Sequence, residues 1–194
     1  GTKNASVEKI LALEPDLVIA NQEENTKKDL EAVAQTGVKV LVCFPKRAAD
    51  GLAHLARLAR VFYVERDPSV RDMLKRGYAA IAEAERAAAS VPALKTFCPI
   101  WMTPLMTIHG ATFISDMLAL AGAQNVFANR ERKYPLAADL GTARPLPEAE
   151  LAGRDIRYPR ITMEEVVAHQ PELVLLPDEP HPFTEEDAEE LRKL

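Results

Sequence analysis

The sequence predicts an α/β protein: two lobes with mostly parallel sheets and flanking helices, joined by one long rigid helix, with the first lobe incomplete. Three observations predict it. A helix-then-strand unit recurs near both ends, Val-rich strand segments alternate with helical ones between the copies, and one helix-length apolar stripe separates the two halves.

The repeat comes first in the chain. Residues 6–20, SVEKILALEPDLVIA, align without gaps to residues 162–176, TMEEVVAHQPELVLL. Each copy opens on a hydroxyl N-cap, Ser6 or Thr162, and runs about two helical turns with apolar positions three and four apart. Each stops before Pro15 or Pro171, because proline disfavours helix in the residue before it. A buried strand follows, at 16–20 and at 172–176. Thr26 caps the next helix, which ends at Gly37, and 38–43 is a Val-rich strand. Leu52, Leu55 and Leu58 fall on one stripe of a helix over about 50–61.

Asp67 as N-cap with Pro68 at the first helical position opens the longest helix. Its stripe is Val70, Met73, Leu74, Tyr78, Ile81, Ala84, Ala88 and Val91, and about 23 residues at 1.5 Å each reach roughly 35 Å, the width of a small domain. Beyond Pro92 the pattern restarts with a strand over 96–101, a loop, and a helix over about 112–121 closed by Gly122. Residues 130–160 carry prolines and scattered charge with no sustained period, which reads as a long surface excursion. The second copy of the repeat and a helix capped by Thr184 finish the chain. The expected division is 1–66, part of a first lobe; 67–92, the connecting helix; and 93–194, a second, truncated lobe.

Composition narrows the function. The chain has 194 residues, 47% apolar content and a net charge of -5, so it fills a core and offers no basic field to a phosphate backbone. Nucleic acid is excluded as a partner on that ground. Cys43 and Cys98 lie in apolar strand segments and read as buried free thiols. There is no G-x-G-x-x-G, no P-loop and no G-x-S-x-G, so an enzyme of unknown reaction is the weaker alternative. The acidic runs Glu23-Glu24 and Glu185-Glu186-Asp187 read as solvated helix starts. No pair among His54, His109, His169 and His181 has a metal-ligand spacing; His109 and His181, in loops near strand ends, are the only metal candidates and weak ones.

In open α/β sheets ligands bind where strands end and loops face a gap. That rule selects Asn21, Phe44, Trp101 with Met102, Tyr158 and Asp178. Trp101, the only tryptophan, is a flat platform for a planar ligand or a packing residue. Arg160, beside Tyr158, suits a ligand carboxylate or phosphate, and Tyr134 is a further aromatic in the excursion. Glu8 and Glu164 occupy the same repeat position, two residues after each N-cap, where a carboxylate gains from the helix dipole.

Residues 6–20, residues 112–127 (TFISDMLALAGAQNVF) and residues 158–166 (YPRITMEEV) together resemble the class III substrate-binding proteins of ABC importers, the helical-backbone metal receptor group, and most of all the branch that receives vitamin B12. The resemblance spans nearly the whole chain. It implies a non-catalytic, monomeric receptor, periplasmic or otherwise extracytoplasmic, with or without a lipid anchor. The transported ligand is cobalamin or a related corrinoid, with haem or an iron-siderophore as alternatives, and no intrinsic cofactor is implied. The implied partners are the importer's transmembrane permease subunits, docked through Glu8 and Glu164. Tyr158 matches an aromatic cleft position of the B12 branch, whereas Asn21 stands where that branch has tryptophan. The family carries further α/β segments before and after these residues, so the chain is expected to be a fragment. A continuous connecting helix implies ligand capture with little lobe motion.

Overall fold

A computed structural model describes residues 5–193. The first lobe starts with α1 (Val7–Leu11), where the Ser6 hydroxyl accepts the N–H of Lys9 at 3.3 Å. The chain turns through Glu14 (φ 47°) into β1 (Leu17–Asn21), then through α2 (Lys27–Gln35), capped by Thr26, to β2 (Lys39–Cys43) and α3 (Ala48–Val61). β1 and β2 pair in parallel, Leu17 against Lys39 through Asn21 against Cys43. Ala20, Val33 and Ala59 are the buried apolar residues here, while Ile19, Val42 and Leu55 remain 40–45% exposed.

The connecting helix is α4 (Pro68–Ala89), 22 residues capped by the Asp67 carboxylate as expected. α4 packs against α3, and the two cross at Gly77, where a Cβ would stand 2.7 Å from a Leu52 methyl. The predicted stripe is only partly covered. Val70, Leu74, Ile81, Ala84 and Ala88 are half-buried, but Met73, Tyr78 and Val91 are 41%, 45% and 56% exposed. Residues three and four apart spread over a broad arc of the helix, and its neighbours cover only one side of that arc.

The second lobe contains β3 (Leu94–Phe97), β4 (Pro99–Met102), β5 (Leu105–Thr107), α5 (Phe113–Leu120), β6 (Ala123–Asn125), α6 (Leu136–Asp139), a 3-10 turn (Glu148–Glu150), α7 (Met163–His169), β7 (Leu173–Val174) and α8 (Glu185–Leu191). β3 is the centre of a parallel sheet of order β6-β3-β7, and β4 and β5 form an antiparallel hairpin. α4 reaches this lobe by packing on α5. The single strand expected over 96–101 is thus broken at Cys98. Pro99 has no N–H to extend the parallel ladder, so the chain leaves that sheet there, and the Cys98 carbonyl instead accepts the Thr107 hydroxyl at 2.8 Å.

Two apolar clusters hold this lobe. One is built on Phe97, Leu105, Phe127, Ile161, Val166 and Leu191, the other on Cys98, Ile100, Ile108 and Leu118. Both cysteines are free, Cys98 fully buried but Cys43 only half-buried.

The excursion over 130–160 is not loose surface chain. Asp139, 2% exposed, accepts from the Arg130 guanidinium at 3.1 Å, the Lys133 N–H at 2.9 Å and the Arg160 N–H at 2.7 Å. Arg130 also reaches Glu165 of α7 at 3.1 Å. These anchors are single side chains, which leave no periodic trace in the sequence. Among the described residues no helix is long and apolar enough to cross a membrane.

Candidate ligand cleft

Parallel strands deliver the loops after them to one end of the sheet. β1 and β2 finish in register at Asn21 and Cys43, so Asn21 and Phe44, the residue after Cys43, lie at the same end of the sheet. The Asn21 side chain then folds the chain back: its oxygen accepts the Glu23 N–H at 3.0 Å, and the Asn25 side-chain oxygen accepts the Asn21 N–H at 2.9 Å. Asn21 therefore shapes the turn that carries Glu23. Glu23 itself is not a solvated helix start; it lies in this turn, ahead of the Thr26 cap, and is half-buried.

The second lobe meets it with residues 157–161, which run along β5. The N–H groups of His109 and Thr107 donate to the carbonyls of Arg157 and Pro159 at 2.8 and 3.0 Å, and Ile161 donates to Leu105 at 3.0 Å. Across the gap the Arg157 guanidinium donates to the Glu23 carboxylate at 3.1 Å, and the Tyr158 hydroxyl donates to the same oxygen. The guanidinium carbon lies 4.7 Å from the centre of the Phe44 ring and 5.1 Å from that of Tyr158, distances that suit cation–π attraction. Asp155 takes the other guanidinium nitrogens at 2.7 and 2.9 Å.

The electrostatics follow from this packing. Burial, then the hydrogen bond and charge of Glu23, push the Tyr158 ionisation well above that of a free tyrosine, so its hydroxyl remains a donor. Burial alone would raise the Asp155 carboxyl, but the hydrogen bonds and charge of Arg157 outweigh it and hold the group below its usual range.

Phe44 and Tyr158 are thus brought to one place, with Arg157 between them. Sequence reading missed Arg157 and misassigned Glu23. The usable signal was the pair of basic residues, Arg157 and Arg160, on either side of Tyr158-Pro159. A second lobe helix also ties to the first: Asp116 of α5 accepts the Ala48 N–H, at the start of α3, at 2.8 Å.

Met106 pairs with Trp101 in the hairpin and bridges Arg160, and residues opposed across an antiparallel ladder share a face. Trp101, Met106 and Arg160 therefore line one surface, with Tyr158 two residues further along. Trp101 lies within β4 rather than after it; its ring is 41% exposed, its N–H donates to the Thr103 carbonyl at 3.0 Å, and His181 stands 5.0 Å away. Arg160 has two buried guanidinium nitrogens, Nε and Nη1, with no hydrogen-bond partner. Strand alternation turns Met102 the other way, against the Phe97 cluster. Asp178 is exposed in the bend after β7. Tyr134 is occupied within the excursion, its hydroxyl donating to the Asp155 carbonyl at 2.7 Å and its ring flanked by Arg132 and Arg154.

His109 accepts the Ala111 N–H at Nδ1, and His181 lies tilted against Trp101 and edge-on to Phe183, near Asp187; among the described residues, no three His, Cys, Asp or Glu groups gather as a metal site. Glu8 and Glu164 are both exposed in the first turns of α1 and α7. The Glu164 backbone N–H and the Thr162 side chain hold the Glu164 carboxyl below its ordinary range.

Solved structures share this fold. A periplasmic haem-binding protein from Pseudomonas aeruginosa superposes with a TM-score of 0.70 at 19% identity, over 99% of this chain and 61% of its own. The periplasmic vitamin B12-binding protein of Vibrio cholerae gives 0.67 at 20% identity, over 91% of this chain and 59% of its own. The chain has the class III periplasmic-binding-protein fold. Among curated proteins, a vitamin B12-binding protein of Vibrio vulnificus is 31% identical over 134 residues, 69% of this chain and 48% of the relative. One from Photorhabdus laumondii is 24% identical over 172 residues, 88% of this chain and 53% of the relative. The chain spans about half the length of the curated relatives it matches. No protein-family profile matches it. The fold and the likeness to B12-binding proteins stand as the sequence resemblance implied.

Proposed function

We propose that the protein is the substrate-binding component of an ABC importer, capturing cobalamin or a related corrinoid between its lobes and delivering it to the membrane permease. The observation that carries this reading is the gathering of Phe44 from the first lobe and Tyr158 from the second around the Arg157 guanidinium, which places two aromatic rings and a cation where the lobes face each other. The vitamin B12-binding relatives support the corrinoid. Trp101 and Arg160 extend the same surface, and Arg157 joins the candidate contacts. Binding occurs without turnover, by a monomer, in the periplasm or another extracytoplasmic space. Residues 1–66 and 93–194 act as the two lobes and 67–92 as their connector. Glu8 and Glu164, exposed and equivalent in the repeat, dock onto the permease, where such charges set register and encounter rate more than affinity.

Calorimetric titration with cyanocobalamin, alongside Trp101 fluorescence, tests this. Saturable one-to-one binding at about 1 μM or tighter, a free energy near -8 kcal/mol, is the expected result. Absence of corrinoid binding with binding of haemin would favour a haem receptor instead, a reading supported by the likeness to the Pseudomonas aeruginosa structure. Turnover of any bound ligand would overturn the receptor reading altogether.

A further inference from the structure

The Glu23 carboxylate occupies a position that chemistry reserves for an anion. It accepts from the Arg157 guanidinium and from the Tyr158 hydroxyl, and both donors belong to the opposite lobe. The guanidinium is nearly buried, its side chain 13% exposed, and its carbon lies 4.7 Å from the centre of the Phe44 ring. A ligand that takes a hydrogen bond from either donor does so in competition with Glu23. We propose that Glu23 is a clasp that closes the unloaded cleft by standing in for an oxyanion of the ligand, so that the cleft selects ligands carrying a carboxylate or phosphate group.

The reasoning is one of exchange. Removing Glu23 from Arg157 and Tyr158 strands two half-buried donors, and stranded donors of this kind weaken binding by about tenfold or more. A ligand that brings an oxyanion to the same place restores both hydrogen bonds. A ligand without one leaves them unmade and binds more weakly by that factor. The carboxylate on the turn is itself positioned, because the Asn21 side chain fixes the Glu23 N–H at 3.0 Å. Asp155 binds the far edge of the guanidinium and keeps it aimed at Glu23 when the clasp opens. Clasp and ligand therefore compete for one set of donors.

The ligand half of this inference rests on the binding reading above; the clasp half does not. Two experiments separate them. Hydrogen exchange is compared between the wild type and Glu23→Ala without ligand, with Tyr158→Phe as a second variant acting from the other lobe. Faster exchange in 155–160 of Glu23→Ala and in 21–26 of Tyr158→Phe is expected, since each change acts on the lobe it does not belong to. Unchanged exchange in both distant segments would overturn the clasp.

Calorimetry then compares cyanocobalamin, which carries a phosphodiester, with cobinamide, the corrinoid lacking it. The wild type should favour cyanocobalamin by about tenfold or more, Glu23→Ala should bind it more tightly than the wild type, and Arg157→Ala should abolish the preference. Equal affinities in the wild type, or a Glu23→Ala protein that binds cyanocobalamin no better, would overturn the stand-in role. If neither corrinoid binds any of the proteins, the corrinoid reading falls and the exchange data alone decide the clasp.

Discussion

Glu14 and Gln170, which occupy the same position in the two copies of the repeat, share a left-handed backbone, with φ of 47° and 49°. Gln170 is the C-cap of α7, Glu14 lies two residues beyond the Ala12 C-cap of α1, and each precedes a proline and lets the chain reverse into the strand that follows. A side chain in that region costs about 1–2 kcal/mol, against roughly 0.5–1 kcal/mol that glycine loses by its freedom in the unfolded chain. Gln170→Gly is therefore expected to stabilise the protein by about 0.5–1 kcal/mol, read from the midpoint of urea unfolding. Loss of stability would mean that the Gln170 side chain makes a favourable contact the backbone argument ignores.

Asp139 organises the segment over 130–160. Its side chain is fully covered, and Arg130 beside it is 16% exposed. Asp139→Ala takes the carboxylate from one Arg130 nitrogen and two backbone N–H groups in a dry site, leaving Glu165 as the remaining counter-charge of Arg130. Breaking one side of a buried pair costs about 3–5 kcal/mol when the partner charge is left alone, and with Glu165 still in place the loss should fall toward about 3 kcal/mol. Urea unfolding should show that loss, and a change below about 1 kcal/mol would mean that water enters and replaces the carboxylate.

Gly110 abuts the chain after β6. A Cβ there would lie 2.9 Å from the Ala128 carbonyl oxygen, a backbone atom that is itself held by the Gly110 N–H at 2.9 Å. Gly110→Ala should cost about 1–3 kcal/mol through overpacking, measured by thermal or urea unfolding, whereas Gly51→Ala, with open space around its Cβ, should not.

Ionisation at the lobe contact predicts opposite behaviour at the two ends of the pH scale. The Tyr158 ionisation is raised in the folded protein, so its stabilising contribution is intact below the free-tyrosine value of about 10 and is lost as pH climbs above it. In a tyrosinate absorbance titration Tyr158 should be the last of the four tyrosines to ionise, and Tyr158→Phe should remove that step. The Asp155 carboxyl is lowered, so its contribution is present above about 3.9 and disappears as pH falls below that. The stability difference between wild type and Asp155→Asn should accordingly shrink toward pH 2.

Most of the fold was legible because it is written in caps and periodicity. Ser6, Thr26, Asp67, Thr162 and Thr184 all cap the helices predicted for them, and Thr112, read as the first residue of its helix, is the cap of α5. The second copy of the repeat was visible for the same reason. What the sequence hid is non-local. β5 and β6 are three residues each, too short to show alternation, and β7 shrinks to Leu173–Val174 because only β3 stands beside it. At the site, Phe44, Tyr158 and Trp101 followed from the rule that ligands gather beyond strand ends. Glu23 did not, since an acidic pair before a helix is usually solvated, and only the approach of the other lobe gives it Arg157.

The unequal burial of the two thiols makes the protein its own reporter. Cys98 is sealed inside the second lobe, where burial pushes its ionisation up to about 11, so maleimides will pass it by at neutral pH. Cys43 is only half-covered and is the immediate neighbour of Phe44. A single environment-sensitive dye can therefore be attached at the lobe junction without removing or adding a cysteine, and its emission will follow whatever enters or leaves there.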